Sequence, residues 1–273
     1  MTPAHFFPEL RPWVENLVNV WPAYIIKPNF AWWQVLHILS LVILGGTTIL
    51  LNLRLIGTGL TEEPPSEIER NLRFWLNLGV VGVVITGILI GMANAERLYD
   101  SAAFTVKMVG LLAAIIFTYG ATLPTAKADG VARGLTPVMA GVGLLIWAFA
   151  MWVFATTALI SPGMFHLITA LGLLALFVLR GRLRWIYLGG LGLLIAAQSI
   201  WTHGFIDAED LERLDPVNKG FAYAFGLWIA GCVTYAVLRR RPDDARPLPQ
   251  LIGYVGILMW VSVAAAGRWI AFA

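Results

Sequence analysis

The sequence predicts an all-α fold, a polytopic membrane protein of about eight transmembrane helices built as two parallel four-helix pseudo-repeats. Three observations predict it. Hydrophobic residues make up 59% of the 273 positions and charged residues 13%, more apolar surface than one water-soluble core could hide. Apolar runs long enough to cross a bilayer, about 20 residues each, fall at 31–53, 74–93, 103–124, 137–159, 163–179, 185–203, 220–238 and 250–270. Short similarities between the first four runs and the last four recur in the same order.

Residues 1–30 come first. They lack the basic flank, apolar stretch and cleavage site of a signal peptide. They hold Pro8, Pro12, Pro22 and Pro28 among Trp13, Trp21 and Tyr24, which reads as a segment lying along the outer interface, where aromatic rings are favoured. The first half then spans 31–160 and the second 161–273. LHILSL from Leu36 in the first run matches FHLITA from Phe165 in the fifth, and WLNLGVVG from Trp75 matches WIYLGGLG from Trp185. Phe104 opens the third run as Phe221 opens the seventh, and GVGLLIW from Gly141 matches YVGILMW from Tyr254. Each half has an even number of spans, so the halves enter the membrane from the same side and are related by an axis along its normal. His37 and His166 become equivalent positions. The alternative reading makes the repeat a packing device, and the many glycines of these runs suit close helix packing in lipid.

The connections set the orientation. Loops 54–73, 125–136, 180–184 and 239–246 carry 12 of the 19 Lys and Arg, so the positive-inside rule makes them cytoplasmic and both termini extracytoplasmic, in a bacterial inner membrane. Because the charge sits in loops, the net +3 reports topology, not nucleic-acid binding. The single cysteine, Cys232, leaves no disulfide, thiolate zinc site or CxxCH haem attachment.

Chemistry is therefore sought among the histidines. This topology puts His37, His166 and His203 at one membrane level near the outer side, with His5 in the N-terminal segment. Ionisable groups within a span are costly and mark functional candidates. Imidazole can hold haem iron axially or copper, so His37, His166 and His203 are the candidate metal ligands, against plain polar helix contacts. Lys107, about one turn inside the third span beside Met108, either snorkels outward or contacts a cofactor carboxylate. Asn77, Thr86 and Gln198 read as interhelical hydrogen bonds. Tyr99 and Asp100 read as a turn or as part of an outer mouth.

LHILSLVILGGTTILLNLRLIG, ITGILIG and FTVKMVGLL together resemble the membrane superfamily of the HemJ-type protoporphyrinogen oxidases and the CopD-type copper-resistance proteins, over residues 31–120. The shared pattern is a first-helix histidine, an arginine at its far end, Thr-Gly in the second helix and a lysine opening the third, here His37, Arg54, Thr86 with Gly87, and Lys107. The HemJ resemblance implies haem b at His37 and Lys107, and the CopD resemblance implies copper handling across the membrane. Ala224 stands where a second lysine would fall.

The leading functional expectation is a haem-b-binding membrane protein, with His37, His166 and Lys107 as the cofactor residues, that moves electrons between an outer-face (periplasmic) partner and the membrane quinone pool. Copper uptake or delivery, a membrane anchor subunit of a redox complex, and porphyrin oxidation are the alternatives. The acidic stretch DAEDLERLD at 207–215 reads either as a solvated spacer or as a docking surface for a basic electron carrier or metal-delivery protein.

Overall fold

The computed structural model describes residues 1–155, 172, 175–176, 179–204, 206, 210–239 and 247–270. Seven long helices run through them: α1 (Phe30–Ile56), α2 (Pro65–Ala93), α3 (Ala102–Lys127), α4 (Thr136–Ala155), α5 (Arg182–Gly204), α6 (Leu211–Leu238) and α7 (Pro247–Trp269). Every segment of regular structure among the described residues is helical. Six are long and apolar enough to cross a membrane: Ala23–Ile56, Pro65–Ala93, Ala102–Lys127, Thr136–Phe154, Arg182–Thr202 and Leu248–Trp269. The chain is an all-α membrane protein, with six such helices among the described residues where the apolar runs predicted eight. Of the other two runs, 163–179 lies mostly outside the described residues, and 220–238, which contains no charged residue, falls in α6, where the side chains of 237 and 238 lie outside the described residues.

Two compact units form, Met1–Thr157 with Leu248–Ala273, and Ala158–Pro247. The expected halves, 31–160 and 161–273, do not coincide with them: α7 joins α1–α4 instead of closing a second bundle. The fit between α7 and α1 explains this. A β-carbon on Gly256 would sit 2.5 Å from the Oδ1 of buried Asn52, and one on Gly253 would sit 2.7 Å from the Asn52 carbonyl. Without side chains there, α7 seats against α1 backbone to backbone, the small-residue packing that lipid favours.

In the first unit, α1 ends on a Schellman turn. Gly57 takes φ +81, its N–H bonds the Arg54 carbonyl, and the Thr58 N–H reaches back to the Leu53 carbonyl. Helix α2 then starts with Pro65 at its first turn, and Asp129, from the loop after α3, accepts the Ser66 N–H at 3.0 Å. Helix α2 lies against α1 at Gly79, where a β-carbon would meet the Leu44 backbone at 2.8 Å. In α3, residues Thr118–Thr122 form a π-turn just before Pro124, whose ring cannot continue an ordinary helix. The Thr118 hydroxyl there accepts the Trp260 Nε1–H of α7 at 3.0 Å, and Trp147 of α4 donates to Ser262 at 2.8 Å. Leu44, Leu51, Leu76, Phe117, Met259 and Trp260 fill the space these helices enclose. Their outer faces carry Trp32, Val42, Val81 and Leu145, exposed and largely apolar surface suited to acyl chains.

The long helices among the described residues of the second unit are α5 and α6. Gly190 leaves room for the Trp228 ring, whose Nε1–H donates to the Tyr187 carbonyl at 3.1 Å, and the fully buried Tyr187 hydroxyl donates to the Gly172 carbonyl at 2.8 Å.

Candidate functional site

One histidine is buried in the first unit, and its surroundings decide its chemical state. His37 sits two turns into α1, 5% exposed, facing α2. Its Nδ1 lies 2.7 Å from the Thr86 hydroxyl. That hydroxyl has a single proton, which it gives to the Gly82 carbonyl one turn back, at 2.5 Å. Towards His37 it can only accept, so the imidazole proton resides on Nδ1. Nε2 then keeps a bare lone pair, and that atom is buried without a hydrogen-bond partner among the described residues. A buried acceptor left unmet costs about 1–3 kcal/mol.

The space beside it is a cavity of about 320 Å³, within the roughly 300–1,000 Å³ range of small-molecule sites. One wall is α2, through Val83, Val84, Gly87, Ile88, Gly91 and Met92. Gly87 keeps that wall thin: a β-carbon there would stand 3.4 Å from His37 Cε1. The facing wall is α3, through Phe104, Lys107, Met108 and Leu111. The Lys107 stem runs past Gly267 of α7, and among the described residues no carboxylate pairs with its ammonium. The cavity is therefore lined by one imidazole, one cation, two thioethers and otherwise hydrocarbon, apart from Tyr99.

The covering layer comes from the N-terminal segment, which folds as short helical turns including Pro3–Phe6 and Arg11–Asn16. Pro3, Val14 and Leu17 reach the cavity. Arg11 donates to Asp100 through both terminal nitrogens, at 2.6 and 3.2 Å, and lies over the Tyr99 ring, 5.4 Å from its centre. Asp100 in turn holds the guanidinium above its ordinary pKa. The Tyr99 hydroxyl donates to the Phe7 carbonyl. Tyr99 and Asp100 thus tie the segment down, a role between the turn and the mouth that the sequence suggested.

Of the expected site residues, His37 and Lys107 line the same cavity. His166 lies outside the described residues, as does the side chain of His203, whose backbone ends α5 in the second unit. Pairing of His37 with His166, and the three-histidine set, rest on those positions. Among the described residues no three His, Cys, Asp or Glu side chains gather as a metal site. His5 is exposed in the first short helix. In the acidic stretch, Asp210 caps α6 by accepting the Arg213 N–H at 3.2 Å, while 207–209 are outside the described residues. Asn77, Thr86 and Gln198 each make an interhelical hydrogen bond, to Tyr119, His37 and Asn218.

Thr86 as the group that sets the His37 tautomer, Met92 as cavity lining, and the Val14–Leu17 cover were not expected. Thr86 could have been found, since a hydroxyl one turn after Gly82 on the helix following a histidine helix is a ready second partner for imidazole. The cover could not, because residues 1–30 have no helical periodicity.

No curated protein and no solved structure matches the chain. A family model does, over residues 13–163, more than half of the 273 positions and all of the cavity lining except Pro3. By that match the chain belongs to DUF6644, a family of unknown function.

Proposed function

We propose that the chain binds haem b in the His37 cavity and passes electrons between a partner at the outer face and the membrane quinone pool. The observation that carries the reading is the His37 Nε2 lone pair, freed by the Thr86 hydrogen bond and buried without a partner beside an apolar cavity. Metal-ligating histidines commonly donate their other ring N–H to a fixed acceptor, which orients the ring and raises its basicity. The residues fit the group in three respects. His37 would offer a nitrogen to the iron, the two helix walls would offer hydrocarbon to the macrocycle, and Lys107 would offer a cation to a propionate. Bound haem supplies one-electron chemistry. The protein's part is to hold the imidazole in one tautomer, to anchor the acidic edge and to keep water off both. The resemblance of His37, Arg54, Thr86 with Gly87, and Lys107 to the HemJ and CopD superfamily supports the same placement.

This reading includes the finer topology: eight crossings, two of them formed by 163–179 and by α6, and both termini outside, as the loop charges require. It also keeps His166 and His203 as further ligand candidates and 207–215 as the docking stretch for a basic carrier.

Copper handling is the second reading, because Met92 and Met108 put soft thioethers in the same cavity as the imidazole. One measurement separates the two. An optical spectrum of the purified protein with a Soret band and sharp reduced α and β bands is expected. A colourless protein carrying copper by elemental analysis would replace haem with the second reading, and a protein carrying neither would remove both.

A further inference from the structure

The His37 cavity is shut on one side and open on another, and the two sides differ in chemistry. The shut side is the N-terminal segment. Pro3, Val14 and Leu17 cover the cavity, and three separate ties hold them to the turn before α3: Arg11 to Asp100, Arg11 over the Tyr99 ring, and Tyr99 to the Phe7 carbonyl. Arg11 and Asp100 have side chains 45% and 51% exposed, so the tie stands at the water-facing surface while the residues beneath it are apolar.

The open side lies between α2 and α3. Ile88 and Met108 line the cavity, yet they are 56% and 45% exposed. Both belong to membrane-crossing helices, and near them Ile85 and Leu112 also present bare hydrocarbon. Surface of that kind at that depth meets acyl chains. A solute leaving water by this route would first have to dissolve in the bilayer.

We propose that the cavity is loaded sideways from the membrane. Its ligand is a bilayer-dissolved amphiphile, an apolar body with an acidic end for Lys107, that enters between Ile88 and Met108 while the N-terminal segment is a fixed roof against water-soluble solutes. The proposal rests on the cavity being a ligand site and not on which cofactor fills it. It names the substrate class by its route: a polar or water-borne ligand has no way in while Arg11 holds Asp100.

The test needs no cofactor. Cys232 is replaced by Ala to remove the only native thiol, Val84→Cys places one on the cavity wall, and the protein is reconstituted in phosphatidylcholine vesicles. Labelling is followed with a maleimide carrying a dodecyl chain and with a sulfonated maleimide confined to water. The dodecyl reagent is expected to react at least tenfold faster. Ile88→Trp and Met108→Trp, both at exposed positions that a larger ring does not crowd, are each expected to slow it at least fivefold without changing its concentration in the bilayer. Arg11→Ala with Asp100→Ala is expected to raise the sulfonated rate and leave the dodecyl rate alone. Equal rates for the two reagents beneath an intact roof would overturn the proposal, as would a dodecyl rate indifferent to both tryptophans. Because labelling is read without haem, a protein that labels as expected but never binds haem would sink the haem reading alone.

Discussion

Replacing Thr86 by Val removes one oxygen and almost no volume, which makes it the sharpest probe of the His37 geometry. The hydroxyl accepts the Nδ1–H at 2.7 Å. Without it that proton is buried with nothing to accept it, a loss of about 1–3 kcal/mol, or roughly five- to 150-fold in an equilibrium constant. The imidazole can recover part of this by moving the proton to Nε2 or by turning in its site. Either move takes the lone pair from its present place on Nε2, and apparent affinity falls by the fraction of protein left in the binding form. Groups that orient a metal-bound histidine typically contribute ten- to 100-fold to affinity, which falls in the same range. The assay is haem titration of the apoprotein in detergent, followed by the Soret band. Thr86→Val is expected to weaken binding about ten- to 100-fold, Thr86→Ser to stay near wild type, and His37→Ala to abolish the specific band. Wild-type affinity in Thr86→Val, alongside loss in His37→Ala, would refute the tautomer argument while leaving ligation standing.

Further expectations follow from single contacts. Lys107→Leu is expected to lower haem affinity about tenfold, about 1.4 kcal/mol, with the iron ligation spectrum unchanged, because it removes a charge-assisted hydrogen bond and not a ligand; an unchanged affinity would return Lys107 to snorkelling. Asp129→Ala is expected to cost about 1 kcal/mol of thermal stability at neutral pH, since it uncaps the α2 N-terminus. The Ser66 hydroxyl and N–H hold the Asp129 carboxyl below its ordinary 3.8, so its contribution is complete above that value and is lost as pH falls through the lower folded pKa; the gap between the two melting curves should close only in strong acid. Gly79→Ala, whose β-carbon would press on the Leu44 backbone, should destabilise by about 1–3 kcal/mol. Gly45→Ala, with nothing within 4 Å, should be near neutral on unfolding in detergent.

Spans were legible where hydropathy alone decides them, as in 31–53, 74–93, 103–124, 185–203, 250–270 and the described part of 137–159, because the cost of an unmet backbone in lipid forces such runs into helices. How the spans group was not. α7 looks like a repeat of α4 in GVGLLIW and YVGILMW, yet it packs with α1 because Gly253 and Gly256 admit the Asn52 backbone and side chain, a steric fit that similarity between runs cannot reveal. At the site, His37 and Lys107 stood out as ionisable groups within spans, a signal that carries its own energetic reason. Their state did not. The proton on Nδ1 follows from Thr86 being committed to Gly82, a relation between two helices whose facing positions only the fold supplies. The cover over the cavity was invisible for a different reason. Arg11 and Asp100 lie 89 residues apart, the first among prolines and the second in a turn too short to show a period.

The central claim is that His37 Nε2 ligates the iron of haem b, and the most direct test is to empty that position and refill it with free imidazole. His37→Gly, purified after expression with haem, is expected to lack the wild-type Soret and α bands. Adding imidazole to that variant together with haem is expected to restore both bands at the wild-type wavelengths. A His37→Gly protein that keeps the wild-type spectrum with no imidazole present would contradict the account.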